Sequence, residues 1–568
     1  MKRISAALGS VLMGMSTMGC GDDGSATPSS DSGSTTSATT SVDTDATAGS
    51  ETAVADETQG SSSGEAMEGF GEIGPLMGPD GENSFRFGAA SAATQIEDQN
   101  ESVDWYLWSL PVDQGGLGNG DFIADASRGF SMAIQDVDLL REMGLDAYRF
   151  SIEWARIEPQ RDMIDEDALA HYDAFIDALV AAGIRPMITV HHFSNPIWVD
   201  DPSDPDCAAG PTDANLCGWN HAEGGPMVVE ELGEHAALLA ERYGDRVDEW
   251  VTLNEPINYL LAGYGLGVFP PGKTGLLTDV EGTFIAAARN FIAGHVEVYN
   301  ALRAGDTTDA DGDGLPAVIG LTKGAIEWVP ARGNELSDDP DDLAAVERVD
   351  FAYHSLFVEA LRQGAFDPGL DGELEEPHPE WAGTLDWLGV QYYLRAGVTG
   401  ASGLLPLINA TPCFQGIDVG ACVPEIDPTY HVPMMEYEHY PQGLYLRLVD
   451  FAERWPDLPM TVSESGIATA VGERRSEAIV RALESIERAR SEGADVRGYY
   501  HWSLYDNYEW AEGYHPRFGL YTVDYEGDYA RTATMGVDVL TQIVAARDLP
   551  EDIRATHGGE GPMTPEAR

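Results

Sequence analysis

From residue 84 onward, short apolar segments alternate with longer amphipathic ones, and this alternation constrains the fold more than any other feature of the sequence. Helical periodicity is clearest at residues 135–143, 168–182, 229–243 and 476–492. The apolar segments have the length and composition of buried β-strands. They span residues 84–90, 147–154, 185–192, 249–255, 317–323, 386–393, 459–464 and 497–504.

About eight strands, each followed by a helix, predict an α/β fold of the closed (β/α)₈ type, the TIM barrel, over residues 84–548. An open doubly wound sheet is the alternative. No glycine-rich phosphate-binding motif follows the first strand, which disfavours that alternative.

Three further segments flank the predicted barrel domain. Residues 1–20 begin with Met1-Lys2-Arg3, continue with an apolar run too short to cross a membrane, and end at Cys20. This layout predicts a secretory signal peptide. Residues 21–83 are rich in Ser, Thr, Ala, Gly and acidic residues, which predicts a disordered linker. Residues 549–568 are predicted to be a polar, frayed C-terminal tail.

The end of the signal segment also bears on localisation. Gly19-Cys20 is similar to the end of a bacterial lipoprotein signal, which predicts a secreted protein anchored to the cell envelope by a lipid on Cys20. Thr17 and Met18 depart from that pattern, so an ordinary cleaved signal is the alternative.

The chain is strongly acidic. It has 32 Lys and Arg against 96 Asp and Glu, a formal net charge of −64. Such a charge repels nucleic acid and anionic lipid headgroups, so we expect no nucleic-acid partner and membrane contact only through the anchor. Adaptation to high salt and secretion from an organism with a GC-rich genome are both compatible with this composition, and no feature of the sequence specifies an oligomeric state.

Four cysteines remain beyond Cys20, and in an oxidising compartment they can form disulfides in three pairings. The pairs closest in sequence, Cys207 with Cys217 and Cys413 with Cys422, are the simplest expectation. Metal binding is the alternative, but the wide, irregular spacing disfavours it.

Polar and aromatic residues gather where the predicted strands end. In a barrel of parallel strands these ends meet at one mouth, where the active site lies. The residues expected there are Gln95, Arg149, His192, Asn254, Glu255, Gln391, Tyr393, Glu464, Trp502, Glu509, Trp510 and Phe518.

Two carboxyl groups that flank one bond are what glycoside hydrolysis needs, one protonated and the other ionised. We expect Arg149 to keep Glu464 ionised, and a drier environment to keep Glu255 neutral. Trp502, Trp510 and other aromatic rings at the mouth offer flat apolar faces on which sugar rings can stack.

At these positions the sequence resembles the family 1 glycoside hydrolases, the β-glucosidase and β-galactosidase group. The resemblance runs from about residue 85 to 525. The matching motifs read FG and QIE at 87–97, YRFSIEW at 148–154, HHF at 191–193, TLNEP at 252–256, SESG at 463–466, WSLYDNYEWAEGY at 502–514 and RFG at 517–519.

The resemblance implies a general acid/base at Glu255 and a nucleophile at Glu464, with the carboxyl groups about 5 Å apart and net retention of configuration. It also implies no required cofactor, and it assigns the contacts with the nonreducing-end sugar to a set of five residues. These residues are Gln95, His192, Asn254, Glu509 and Trp510.

Three departures from the family pattern concern the sugar pocket. Gln391 stands where the family has asparagine, Ser465 follows the predicted nucleophile in place of asparagine, and Ser194-Asn195 replaces Asp-Leu after the histidine pair. Gln391 could therefore reach the nucleophile differently.

The expected substrates are small glycosides or oligosaccharides with a terminal β-linked glucosyl, galactosyl or fucosyl unit. The resemblance implies an unphosphorylated sugar, because the phospho-glycosidases of the family lack the pair formed here by Glu509 and Trp510. A transglycosidase on the same scaffold and a tethered sugar-binding protein without turnover are the alternatives.

A separate acidic motif precedes the fifth strand. Asp309, Asp311 and Asp313 alternate with small residues as in the opening of a calcium loop, which predicts a possible structural Ca²⁺ site. Gly320 stands where such a loop has its bidentate glutamate, so a solvated acidic turn is the alternative.

Overall fold

The computed structural model describes residues 69–77, 81, 83–403, 405, 407–413 and 419–566. Within them, eight parallel strands form a closed barrel in chain order, because the last strand pairs with the first. The predicted α/β class and (β/α)₈ barrel are confirmed. The strands are β1 Arg86–Ala90, β2 Ala147–Ser151, β3 Arg185–His191, β4 Glu249–Asn254, β5 Val318–Arg332, β6 Trp387–Thr399, β7 Met460–Ser465 and β8 Val496–Trp502.

The longer helices surround the barrel. They are α1 Gly129–Met143, α2 Glu166–Ala181, α3 Gly224–Tyr243, α4 Ala286–Gly305, α5 Pro340–Asp350, α6 Leu356–Gln363, α7 Pro441–Arg454, α8 Gly472–Ser491, α9 Met535–Ala546 and α10 Glu551–His557. Single-turn α-helices lie at Ala93–Ile96, Asp104–Ser109, Trp154–Ile157, Pro256–Tyr259 and Gly275–Thr278. π-Helical turns lie at Leu260–Gly265, Val280–Ile285 and Phe351–Ser355. 3₁₀ turns lie at Val112–Gln114, Pro379–Trp381, Pro428–Tyr430 and Trp510–Glu512.

Local sequence signals explain where several helices begin and end. The Asp165 carboxylate accepts hydrogen bonds from two backbone N–H groups in the first turn of α2. Asp339 caps α5, which begins with a proline at its first position. Gly144 ends α1 in the left-handed conformation, with φ of +69°.

The barrel core is apolar on both faces of most strands. All five residues of β1 and all six of β4 are buried, as expected for parallel strands covered by helices. Strands β5 and β6 are longer than predicted and stay paired beyond the barrel, as far as Pro330 opposite Val398. Short antiparallel strands lie at Glu335–Leu336, Ala365–Phe366, Glu376–Pro377, Thr411–Pro412, His431–Val432, Tyr437–Glu438, Tyr521–Val523 and Arg531–Ala533.

The structure corrects the C-terminal limit of the predicted linker. Phe70 is 1% exposed, and its ring packs against Phe85 and Phe87 with centroid distances of 4.8 and 5.3 Å. Its backbone N–H donates to the carbonyl of Arg547. One buried aromatic ring thus fixes residues 69–77 at the N-terminal end of β1. The predicted signal peptide, residues 1–20, and most of the predicted linker lie outside the described residues.

The structure also corrects the predicted tail. Residues 551–557 form α10, and Met563 beyond it is 2% exposed. The Glu566 carboxylate accepts hydrogen bonds from Thr469 and from the backbone N–H of Ala470, just before α8 begins. Apolar anchors within a polar segment therefore hold the tail on the barrel, where the sequence had predicted fraying.

The cysteines pair as the simplest expectation had it. Cys207 is bonded to Cys217, and Cys413 to Cys422. Each disulfide closes a loop outside the barrel strands. In the part of the chain that the structure describes, no helix combines the length and the apolar character that crossing a membrane requires.

The corrected N-terminal boundary can be tested by shortening Phe70. We expect Phe70→Ala to lower the free energy of unfolding by about 3 kcal/mol, because it leaves a cavity in a cluster of three buried rings. Equilibrium urea denaturation measures this change. Val112, which is 72% exposed, provides the control, since Val112→Ala should change stability by less than about 0.5 kcal/mol. Equal effects of the two substitutions would show that residues 69–77 do not contribute to the fold.

Candidate active site

A cavity of about 400 Å³ opens at the C-terminal ends of the barrel strands. It contains ten of the twelve residues expected there from the sequence. They are His192, Asn254, Glu255, Gln391, Tyr393, Glu464, Trp502, Glu509, Trp510 and Phe518. Arg149 and Gln95 lie behind the wall, and both are fully buried.

Glu464, near the end of β7, is held by three donors. Its Oε1 accepts hydrogen bonds from Arg149 Nη1 at 2.5 Å and Gln391 Nε2 at 2.7 Å, and its Oε2 accepts one from the Tyr393 hydroxyl at 2.8 Å. Burial raises the pKa of Glu464, whereas the Arg149 guanidinium and the Tyr393 hydroxyl oppose that shift. These donors therefore favour the ionised form.

Arg149 also fixes the neighbouring amide of Asn254. The Asn254 Oδ1 accepts hydrogen bonds from Arg149 Nη2 at 2.6 Å, from Gln391 Nε2 at 2.8 Å and from the Thr322 hydroxyl at 3.0 Å. The amide nitrogen is left as the end that can reach a ligand in the cavity. Gln391, the longer amide of this chain, thus bridges Glu464 and Asn254 through a single nitrogen.

Glu255 follows β4 and has a left-handed backbone, with φ of +38°. Its Oε2 accepts a hydrogen bond from Asn258 Nδ2 at 2.7 Å. A side chain at Gly324 would place its Cβ 2.5 Å from the Tyr353 hydroxyl and 3.1 Å from Glu255 Oε1. Glycine at this position therefore leaves the space that the Glu255 carboxyl group occupies.

The two glutamates differ in what surrounds them. Burial raises the pKa of Glu255 to about 8, and the charge of nearby Glu464 adds to the shift. In contrast to Glu464, no arginine donates a hydrogen bond to Glu255 among the contacts of the described residues. Glu255 is thus arranged to hold a proton near neutral pH, and Glu464 to carry a negative charge.

The wall of the cavity combines aromatic faces with polar groups. His192 stacks on Trp502 and Trp510, with ring centroids 6.1 and 5.9 Å apart. Burial and the charge of Arg149 hold the pKa of His192 well below its usual range, so the ring is neutral. Burial, and then Glu464, raises the pKa of Glu509 to about 8.

The ligand contact of Gln95 stays a prediction. This residue lies outside the cavity wall, and its Nε2 donates to the Tyr508 carbonyl at 2.9 Å and to Glu509 Oε2 at 3.3 Å. The fully buried amide of Gln95 thus helps to orient the Glu509 carboxyl group.

Several cavity residues were not predicted from the sequence. Asn258 could have been found, because it lies three residues after Glu255 at the start of a helix. Met435 and Tyr437 line the cavity from a segment without helical or strand periodicity, and Phe269 does so from the long connection after β4. No sequence signal places these three residues at the mouth.

The replaced residues after the histidine pair form new contacts. Ser194 donates hydrogen bonds to the Glu153 carboxylate, and Asn195 donates to Asp104 and to the Tyr259 hydroxyl. Ser194 is 5% exposed and Asn195 is fully buried. The support of the pocket is thus rebuilt with different side chains.

The residues predicted to bind calcium lie at the opposite end of the barrel. Ligand atoms of Asp309 and Asp311 lie within 4.8 Å of one another and of Asp248, but Asp313 is not part of this group. Backbone N–H groups of the same loop donate to Asp309, and Arg185 pairs with Asp311. Asp248 thus joins Asp309 and Asp311 in this group, and calcium binding stays a prediction.

Two buried glutamates of different character, set among aromatic faces at the mouth of a (β/α)₈ barrel, define a glycoside hydrolase. This chemistry requires no cofactor. Residues 81–548 match glycosyl hydrolase family 1. The chain belongs to this family and is a retaining glycoside hydrolase.

Relatives support this assignment along almost their full length. The chain is 30% identical to a β-galactosidase of Pyrococcus woesei over 516 residues, covering 83% of this chain and 98% of the relative. It is 27% identical to β-glucosidase 25 of Oryza sativa subsp. japonica, covering 82% and 94%. Among solved structures, a β-glycosidase from Pyrococcus horikoshii is similar, with a TM-score of 0.69, 27% identity and coverage of 86% and 100%.

The raised pKa of Glu255 predicts a pH-dependent cost to stability. Between about pH 4.5 and 8 the carboxyl group is ionised in the unfolded chain and protonated in the folded one, so stability falls as pH rises. Glu255→Gln removes this group. As the pH rises from 5 to 8, we therefore expect the free energy of unfolding of the variant to increase by about 2–4 kcal/mol relative to that of the wild type.

Urea denaturation at both pH values measures this gain. The control is Glu101→Gln. Because Glu101 is exposed, this variant should show the same change in stability between pH 5 and 8 as the wild type. Wild type and Glu255→Gln with parallel pH dependence would contradict the protonated state of Glu255.

Proposed function

We propose that Glu464 is the nucleophile and Glu255 the general acid/base of a double displacement. The observation that carries the proposal is the contrast between the two buried carboxyl groups, one bonded to Arg149 and the other to the neutral amide of Asn258. Glu464 attacks the anomeric carbon while Glu255 protonates the leaving oxygen. Glu255 then removes a proton from water as water hydrolyses the glycosyl-enzyme.

The proposed substrates are small glycosides and oligosaccharides with a terminal, nonreducing β-D-glucosyl, galactosyl or fucosyl unit. Asn254, His192 and Glu509 offer hydrogen bonds to sugar hydroxyls, and Trp502 and Trp510 offer stacking faces. The names of the relatives, β-galactosidase and β-glucosidase, agree with such substrates. Glu509 and the strongly acidic composition disfavour a phosphorylated sugar.

Removal of the Glu464 side chain tests the proposal. We expect Glu464→Gly to lower kcat for p-nitrophenyl β-D-glucoside and β-D-galactoside by several orders of magnitude, because no covalent intermediate can form. Azide should restore turnover and yield an α-glycosyl azide, since it enters on the face that the carboxylate leaves open. Steady-state kinetics and NMR of the product measure both effects.

Glu101→Gly, a change at an exposed glutamate, is the matched control and should retain wild-type activity. Undiminished activity of Glu464→Gly would overturn the assignment. Binding of sugar without turnover by either protein would instead favour the sugar-binding alternative, and glycoside products formed in the presence of an alcohol would favour transglycosylation.

We also propose that the protein is secreted and anchored to the cell envelope by a lipid on Cys20. Support comes from the signal-like residues 1–20. The full-length chain, expressed in a bacterium with lipoprotein processing, should partition into the detergent phase of a Triton X-114 extract. Cys20→Ala should move it to the aqueous phase. Equal partitioning of the two proteins would refute the anchor.

A further inference from the structure

A second cavity, of about 270 Å³, lies beside the sugar-sized one. Its walls come from the helical turns after β4, from the extensions of β5 and β6 and from residues 405, 407, 408, 412 and 413. Among the described residues no charged side chain lines it, and most of the lining is Leu, Ile, Val, Phe and Trp. It is therefore suited to an apolar ligand.

The two cavities share part of their walls, which establishes where they meet. Six residues line both of them: Asn258, Leu261, Leu266, Ile326, Tyr353 and Leu394. Asn258 donates to the Glu255 carboxyl group, and the Tyr353 hydroxyl and Glu255 Oε1 both border the space over Gly324. The second cavity thus joins the first on the side of Glu255.

The position of the general acid determines which part of the substrate lies on the Glu255 side of the cavity. The general acid must reach the oxygen of the leaving group, so the aglycone lies next to Glu255, away from the nucleophile. We propose that the second cavity binds the aglycone, and that the substrates are glycosides of large, uncharged, apolar alcohols. The inference rests on the proposed roles of Glu255 and Glu464.

The volume and polarity of the cavity support this class of ligand. An apolar cavity of roughly 150 Å³ stays dry and holds a benzene molecule. The present cavity is larger, and the polar side chains of Asn258 and Tyr353 lie at the junction with the sugar pocket. It can therefore hold a long alkyl chain or fused rings, with the glycosidic oxygen at the polar end.

The outer wall is built by segments outside the barrel. Trp328 on β5 pairs in register with Ala396 on β6, and both line the cavity beyond the point where the barrel ends. Leu405 and Ile408 cover it from the segment between β6 and the Cys413–Cys422 disulfide. The preference for apolar aglycones is thus a property of these insertions.

A homologous series of substrates tests the inference. The purified wild-type enzyme is assayed with methyl, butyl and hexyl β-D-glycosides of whichever sugar it hydrolyses fastest. Burial of each added methylene should raise kcat/KM by up to about fourfold until the cavity is filled. We expect the hexyl glycoside to exceed the methyl glycoside at least tenfold.

Filling the cavity provides the matched variant. Ala396 lines only the second cavity, so Ala396→Trp should lower kcat/KM for the hexyl glycoside at least tenfold and leave the methyl glycoside within twofold of the wild type. Turnover of the methyl glycoside also shows that the variant is folded. Ala237→Trp, at an exposed position on α3, should change neither value.

The outcomes separate this inference from the proposed function. Hydrolysis without a preference for longer chains, or an equal loss with both substrates in Ala396→Trp, would overturn the aglycone site alone. Failure of the wild type to hydrolyse any glycoside would refute the proposed function, and the aglycone site with it.

Discussion

The ion pair between Arg149 and Glu464 is the interaction on which the rest of the site depends. Both side chains are almost completely withdrawn from water, at 0% and 6% exposure. A buried pair of this kind adds little stability compared with apolar packing, because each charge loses its hydration. What it provides is position. Arg149 also bonds to Thr189 and Asn254, so one side chain from β2 connects the ends of β3, β4 and β7.

The ion pair between Arg149 and Glu464 also affects the protonation state of the second carboxyl group, that of Glu255. The charge of Glu464 is compensated by Arg149, and a further negative charge on Glu255, which is buried beside it, would repel Glu464. Burial and the charge of Glu464 favour the protonated form of Glu255, and they outweigh the hydrogen bond from the Asn258 amide, which favours the ionised form. The same environment raises the pKa of Glu509, so the mouth carries less charge than its carboxyl groups suggest.

Much of the barrel, and most of the residues that line the cavity at its mouth, could be predicted from the sequence. The strand ends were found because buried parallel strands are continuous apolar runs, and because barrel closure brings their C-terminal ends together. The bridging hydrogen bonds of Gln391 could not be predicted, since the length of an amide does not specify its partners. Phe70 was missed because a single aromatic residue in a polar run shows no period, although tertiary packing fixes it. The extensions of β5 and β6 contain charged residues such as Arg332 and Arg395, which hid their strand character.

The N-terminal segment has a consequence for how the enzyme meets its surroundings. Residues 69–77 lie where β1 and β8 begin, and Arg86 and Arg497 hold them there by hydrogen bonds to Gly74 and Leu76. The cavity opens at the other end of the same strands. The N-terminal segment therefore enters the barrel domain at the end of the barrel opposite the mouth. Immobilised through that end, on a resin or a cell, the molecule would keep its entrance turned outward, accessible to bulky glycosides.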